Sequence, residues 1–119
     1  MRRVPKPWGE EIIYAETEKY AGKILVVRRE HSLSLQYHER KDETLYLYRG
    51  RVRLWIEEAG SLQERILLPG DSCRIVPGTR HRLQALEDSE VLEVSTPELD
   101  DVVRLEDRYG RAGGGKKQD

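Results

Sequence analysis

The stretch LSLQYHERKDETLYLYRG, Leu33 to Gly50, alternates before it turns. Leu33, Leu35 and Tyr37 fall on one side, and Ser34, Gln36 and His38 on the other. A two-residue period is that of a strand, because successive side chains of an extended chain leave opposite faces. Four residues, Glu39 to Asp42, then make a loop. Thr44–Arg49 resumes an apolar and aromatic run, and Gly50 ends it. In an antiparallel hairpin the end of one strand lies beside the start of the next. Glu43 therefore comes back towards Gln36 and His38. Polar residues usually face water in such a strand. The alternative is a barrel whose lumen takes the polar side while its outer face is covered by another layer.

The same rhythm continues along the chain. Lys23–Arg28, Arg51–Glu57, Glu64–Leu68, Ser72–Val76, His81–Ala85 and Val91–Ser95 are further short strand runs, divided by turns such as Pro69-Gly70-Asp71 and Pro77-Gly78-Thr79. Eight strands at this spacing predict an all-β fold, a sandwich or a jelly-roll barrel. Glu98–Arg104 reads as a short helix. Residues 1–111 are expected to form one domain, with a short N-terminal arm, and residues 112–119 a flexible, disordered tail rich in Gly and charge.

Composition bounds the function. A chain of 119 residues with 37% hydrophobic residues builds one core. A net charge of -1, from 21 basic and 22 acidic residues, gives no basic footprint for nucleic acid and no polybasic face for a membrane. Cys73 is the single cysteine, so no internal disulfide forms, and its strand context reads as a buried core thiol. MRRVPKPWGEE has no apolar segment of the signal-peptide kind, so a cytoplasmic location is expected.

Four residues make the candidate site. His81 opens a strand directly after a tight turn. If it reaches the same rim as Gln36, His38 and Glu43, the four form a mixed nitrogen and oxygen set suited to a divalent metal. The competing reading is a surface His–Glu ion pair. His31 has no partner pattern and is expected to be solvated.

The spacing of Gln36, His38, Glu43 and Gly50 matches the first motif of the cupin superfamily, with Gln in place of its first His. Gly70, Gly78 and His81 match the second. More narrowly, the chain resembles the cupin domain of type II mannose-6-phosphate isomerases through Pro7–Glu11 (PWGEE), Leu33–His38 (LSLQYH), Glu43, Pro69–Asp71 (PGD), Gly78–Leu83 (GTRHRL) and Leu105–Arg111 (LEDRYGR). The likeness runs from Lys6 to about Arg111. The sequence departs from the family at Glu30, Lys41, Thr44-Leu45, Pro77 and Ala85.

The resemblance implies a single cupin-type jelly-roll barrel holding one divalent ion per chain (Zn, Mn, Fe, Co or Ni) on Gln36, His38, Glu43 and His81. It further implies aldose–ketose isomerisation of a sugar phosphate. That chemistry needs a base for a carbon-bound proton, a role open to Glu43, and cations for the phosphate, for which Lys41, Arg82 and Lys23 are the candidates. Two other readings are a non-catalytic cupin that binds a sugar or small acid, and a metal-dependent dioxygenase. Tyr46, Tyr48 and Trp55 are candidates for sugar stacking, with plain packing as the commoner role. Leu33 and Leu35, facing away from the polar side, would leave an apolar strip, which a two-fold homodimer would cover.

Overall fold

A computed structural model of the chain describes residues 1–110 and 113–115. The expectation of a disordered tail lies outside the described residues at 111, 112 and 116–119. Among the described residues there are strands and no helix. In chain order these are β1 (Arg2–Lys6), β2 (Gly9–Glu16), β3 (Ala21–Val27), β4 (Leu35–Tyr37), β5 (Glu43–Arg49), β6 (Val52–Glu58), β7 (Ser61–Leu67), β8 (Ser72–Ile75), β9 (His81–Ala85), β10 (Ser89–Ser95), β11 (Val102–Glu106) and β12 (Gly113–Gly115). They build two antiparallel sheets in the orders β1-β2-β3-β10-β5-β8 and β12-β11-β4-β9-β6-β7. This is the all-β jelly-roll architecture expected from the sequence. Among the described residues no helix is long and apolar enough to cross a membrane.

The strands pack face to face because their inward residues are apolar over most of their length. Leu25 and Val27 on β3, Leu45 and Leu47 on β5, and Val91 on β10 meet Val52, Leu54 and Ile56 on β6 and Leu83 and Ala85 on β9. Full burial of each leucine, valine or isoleucine contributes about 1.5–3 kcal/mol. Towards one end of the sandwich the inward positions turn polar: Glu11 on β2, Lys23 on β3, Glu43 on β5, His81 on β9 and Glu93 on β10 are all buried. Each strand thus carries core at one end and chemistry at the other. Gly50, at φ +93°, closes the β5–β6 hairpin where a Cβ would lie 2.6 Å from the Asp88 carbonyl oxygen.

Three expectations need correction. The N-terminal arm is a strand pair, β1 and β2, with Trp8 fully buried between them. Glu10-Glu11 hid β2, because Glu11 faces the polar end of the core rather than solvent. The helix expected over Glu98–Arg104 is instead an irregular segment followed by β11, which pairs with β4. The three-residue spacing of Leu99, Val102 and Val103 imitates a helix, but Val102 and Arg104 share the inward face of a strand. The apolar strip at Leu33 and Leu35 does not exist, since both are only 8% exposed. Alternation holds over Leu35–Tyr37 alone. Before it the chain is irregular: Ser32 makes an isolated bridge to Gln84, Ser34 is fully buried, and Leu33 joins the core.

Candidate metal centre

Gln36 on β4 is the register partner of His81 on β9. His38 follows β4, and Glu43 opens β5 after the loop that the hairpin requires. Asp101 fixes that loop: its carboxylate accepts from the N–H groups of Glu39, Arg40 and Lys41 at 3.1, 2.7 and 2.9 Å. The turn before His81 is tied to the same place, with Gly78 N–H donating to the His38 carbonyl at 2.7 Å. Two segments 40 residues apart are thereby clamped together. The nearest ligand atoms of His38, Glu43 and His81 all lie within 4.8 Å of one another, and all three residues are buried.

The protonation pattern decides what this cluster can hold. His38 Nδ1 lies 2.5 Å from the Asp101 carbonyl, and His81 Nδ1 lies 2.9 Å from that of Thr79. A carbonyl only accepts, so both rings carry a proton on Nδ1, which leaves Nε2 as the nitrogen that faces the interior and could serve as ligand. His38 Nε2 is 2.7 Å and His81 Nε2 4.0 Å from Glu43 Oε1. Glu43 Oε1 is itself buried with no aligned donor. Three potential ligand atoms therefore converge, and an ion among them would displace whatever proton His38 and Glu43 share. Ligand atoms each about 2.1 Å from one ion stand roughly 3–4 Å apart, which the observed spacing brackets. Gln36 Nε2 donates to Ser34 Oγ at 3.0 Å, which leaves its carbonyl oxygen as the available end. The four residues fit a divalent ion.

Electrostatics favour the ligand forms. Burial alone would raise the Glu43 carboxyl, but Lys41, followed by the two histidines, outweighs it and holds the group well below the usual carboxylate range. Burial lowers the His81 imidazole against the opposing pull of Glu43. Lys41 Nζ lies 3.7 Å from Glu43 Oε1 and 3.2 Å from Glu93 Oε2. Burial works against its charge, yet these two carboxylates raise it above the ordinary lysine value. Lys23 Nζ continues the chain, 3.9 Å from Glu93 and 3.4 Å from Glu11. Burial raises the Glu11 carboxyl, with Lys23 opposing. The result is a buried line of alternating charge, Glu11–Lys23–Glu93–Lys41–Glu43, that ends on the histidines.

These groups line a small cavity of about 30 Å³, enough for an ion and a water. Leu99 forms part of its wall and also faces an outer cleft of about 650 Å³ formed by Glu39, Arg40 and the 97–101 segment. Of the cations named from the sequence, Lys23 and Lys41 line the cavity. Arg82 does not: it lies beside Trp55 on the outer face and donates to the Glu106 carbonyl at 3.2 Å. Tyr46 and Tyr48 also point outward. His31 is not simply solvated, because its Nδ1 lies 2.7 Å from the Tyr109 hydroxyl and the two rings stack. Glu11, Glu93 and Asp101 were missed. Glu11 sat in the PWGEE piece without a role, and Glu93 is paired to Lys23 only by a register between strands far apart in sequence.

A family model described as Cupin domain matches residues 24–96, more than half of the chain. The chain is a cupin. Mannose-1-phosphate guanylyltransferase ManC of Salmonella typhimurium is 34% identical over 115 residues, covering 92% of this cupin and 23% of that protein. Xanthan biosynthesis protein XanB of Xanthomonas campestris is 32% identical over 116 residues, covering 92% and 24%. The cupin thus spans about a quarter of the length of these relatives. Among solved structures, KdgF from Halomonas sp. has a TM-score of 0.73 at 26% identity, over 82% of this chain and 88% of that one. Oxalate decarboxylase from Lactobacillus farciminis has a TM-score of 0.73 at 17% identity, over 87% and 33%, a likeness of fold alone.

Proposed function

We propose that this cupin holds a divalent ion on Gln36, His38, Glu43 and His81 and isomerises a sugar phosphate between aldose and ketose. The observation that carries the reading is the convergence of the Nε2 atoms of His38 and His81 on a buried Glu43 oxygen that lacks an aligned donor. Similarity to proteins named for mannose 1-phosphate supports the substrate class. When bound, the ion would polarise a carbonyl and its neighbouring hydroxyl. The carbonyls of Thr79 and Asp101 keep both imidazoles in the ligand tautomer. Lys41 keeps Glu43 ionised. Glu43, facing two imidazoles and Lys41, is better suited as ligand than as base. Glu11 lines the same cavity uncommitted to the ion, and burial moves its carboxyl towards the range useful for proton transfer. We assign the carbon-bound proton to it.

One observation favours a second reading, a metal-holding cupin that binds a small acid without turnover. Both lysines of the cavity already face carboxylates, and the cavity is smaller than a hexose phosphate. Elemental analysis by mass spectrometry on untagged protein tests the first step for the wild type, Glu11→Gln and the His38→Ala, His81→Ala double variant. Stoichiometric metal is expected in the first two and none in the last. Conversion of mannose 6-phosphate to fructose 6-phosphate by the loaded wild type, lost in Glu11→Gln, supports the isomerase. Loaded protein without turnover favours the second reading, and a wild type that takes up no metal overturns both.

A further inference from the structure

We propose that the outer face of strands β4, β9, β6 and β7 carries a second binding site, for a small molecule in which a ring with an apolar face bears a phosphate. The site is separate from the metal cavity and does not rest on the function proposed for it. The sequence offered Arg82 for a phosphate and Trp55 for stacking, and the fold sets the two side by side. They are register partners across β6 and β9. Both therefore leave the sheet on the side opposite the buried Leu54, Ile56 and Leu83. Two hollows adjoin there, with Trp55 and Arg82 in the wall of each. One, of about 140 Å³, is largely apolar and is completed by Leu35, Leu62 and Glu106. The other, of about 330 Å³, is polar and is bounded by Glu30, Ser32, Gln84 and Arg108.

The arginines set the charge of the ligand. Among the described residues nine arginines pair with a carboxylate. Arg82 and Arg108 pair with none. Arg82 donates to the Glu106 carbonyl at 3.2 Å, and Arg108 to the Glu30 carbonyl at 2.5 Å and to Ser32 Oγ at 3.5 Å. Arg82 Nε is buried without a hydrogen-bond partner. A donor held out of water with no acceptor is costly, and a guanidinium carries several of them. A phosphate offers acceptors to both forks at once. The carboxylate-bearing residue of the polar hollow, Glu30, is itself paired with Arg29 at 3.7 Å. Arg108 is also in place before a ligand arrives, because the next residue, Tyr109, stacks on His31.

The apolar hollow sets the other half of the ligand. Arg53 lies over Trp55, 5.5 Å from the ring centroid, and is paired with Glu64 at 3.4 Å. The indole is thus steadied from its own strand, and with Leu35 and Leu62 it gives a ring an apolar surface to pack on. Because Trp55 and Arg82 belong to both hollows, a ring in one and its phosphate in the other fit a single small molecule. A nucleoside monophosphate and a hexose phosphate share that chemistry.

Proton–nitrogen correlation NMR on the chelator-treated full chain tests the site, with guanosine monophosphate, mannose 6-phosphate, guanosine and inorganic phosphate as probes. At least one of the two ring phosphates should shift the Trp55 indole and the Arg82 and Gln84 amides, while the indole of the fully buried Trp8 stays in place. The tighter of the two identifies the ring. Guanosine and inorganic phosphate each lack half of the ligand and should bind at least about tenfold more weakly. Arg82→Gln and Arg108→Gln should each weaken the tighter probe by about tenfold or more, with the dispersion of the spectrum retained. Arg2→Gln, whose arginine pairs with Glu16 on the other sheet, should leave binding unchanged. If neither ring phosphate moves the Trp55 indole at millimolar concentration, the proposal is overturned. Shifts confined to the amides around His38 and His81 overturn it equally, because the phosphate then sits in the metal cavity. Inorganic phosphate that binds as tightly as the ring phosphates, or binding that survives both arginine variants, also overturns it.

Discussion

Replacing Lys41 by Met removes the one cation between Glu43 and Glu93 while nearly preserving volume. At 3.7 Å and an effective dielectric of about 20, the Lys41–Glu43 attraction alone is about 4 kcal/mol. The desolvation of Lys41 is also relieved, so the net loss is smaller than the sum of its pairs. Breaking a buried ion pair by deleting one partner costs about 3–5 kcal/mol, because the survivors stay buried and uncompensated. For a domain of this size that corresponds to a fall of at least about 10 °C in Tm. The assay is thermal unfolding of chelator-treated protein followed by circular dichroism. A second readout separates the site from general stability. The ion, when bound, takes over neutralisation of Glu43 and no longer meets a neighbouring ammonium. Added metal should therefore raise the Tm of Lys41→Met more than that of the wild type. A metal-free variant melting within about 2 °C of the wild type would refute the reasoning, since the charge line would then not be holding the polar end together.

Two further outcomes follow from the same geometry. The metal-free protein should lose stability as the pH falls, in two stages. His81 is held below its ordinary value of 6.5 and Glu43 below 4.5, so the unfolded chain takes up protons that the fold refuses. Glu11, raised, acts in the opposite sense and softens the second stage. A urea midpoint that does not move from neutral to acid pH would contradict this. Leu99→Ala should hasten removal of bound metal by a chelator. Leu99 separates the cavity from the outer cleft, and burial of a leucine contributes about 1.5–3 kcal/mol, so its truncation should make the open form roughly tenfold more populated. An unchanged release rate would mean that exchange runs by another route.

The metal set was legible because Gln36, His38 and Glu43 are local: one strand, one loop and one strand start. His81 was reachable through the turn before it. What escaped notice was governed by pairing at a distance. Lys23 was a candidate for the phosphate, but nothing near it announces Glu93, which meets it through the β3–β10 register. Asp101 fell within a segment whose apolar spacing imitates a helix. The Leu33–Ser34 irregularity reversed the expected faces because strict alternation was carried two residues too far upstream. Arg82 was drawn towards the site by adjacency to His81, whereas the alternation of β9 sends it to the other side of the sheet.

The buried charge line also bears on how the chain finds its alignment. β3 and β10 are apolar enough to pair in several registers, and a slip of two residues would keep every side chain on its proper face. Such a slip would set Lys23 opposite Val91 or Ser95 instead of Glu93. It would also leave the buried ammonium with Glu11 alone to offset its desolvation. Glu93 and Lys23 thus act as a key between strands that meet late and from far apart, rejecting misalignments that leucine and valine alone would tolerate.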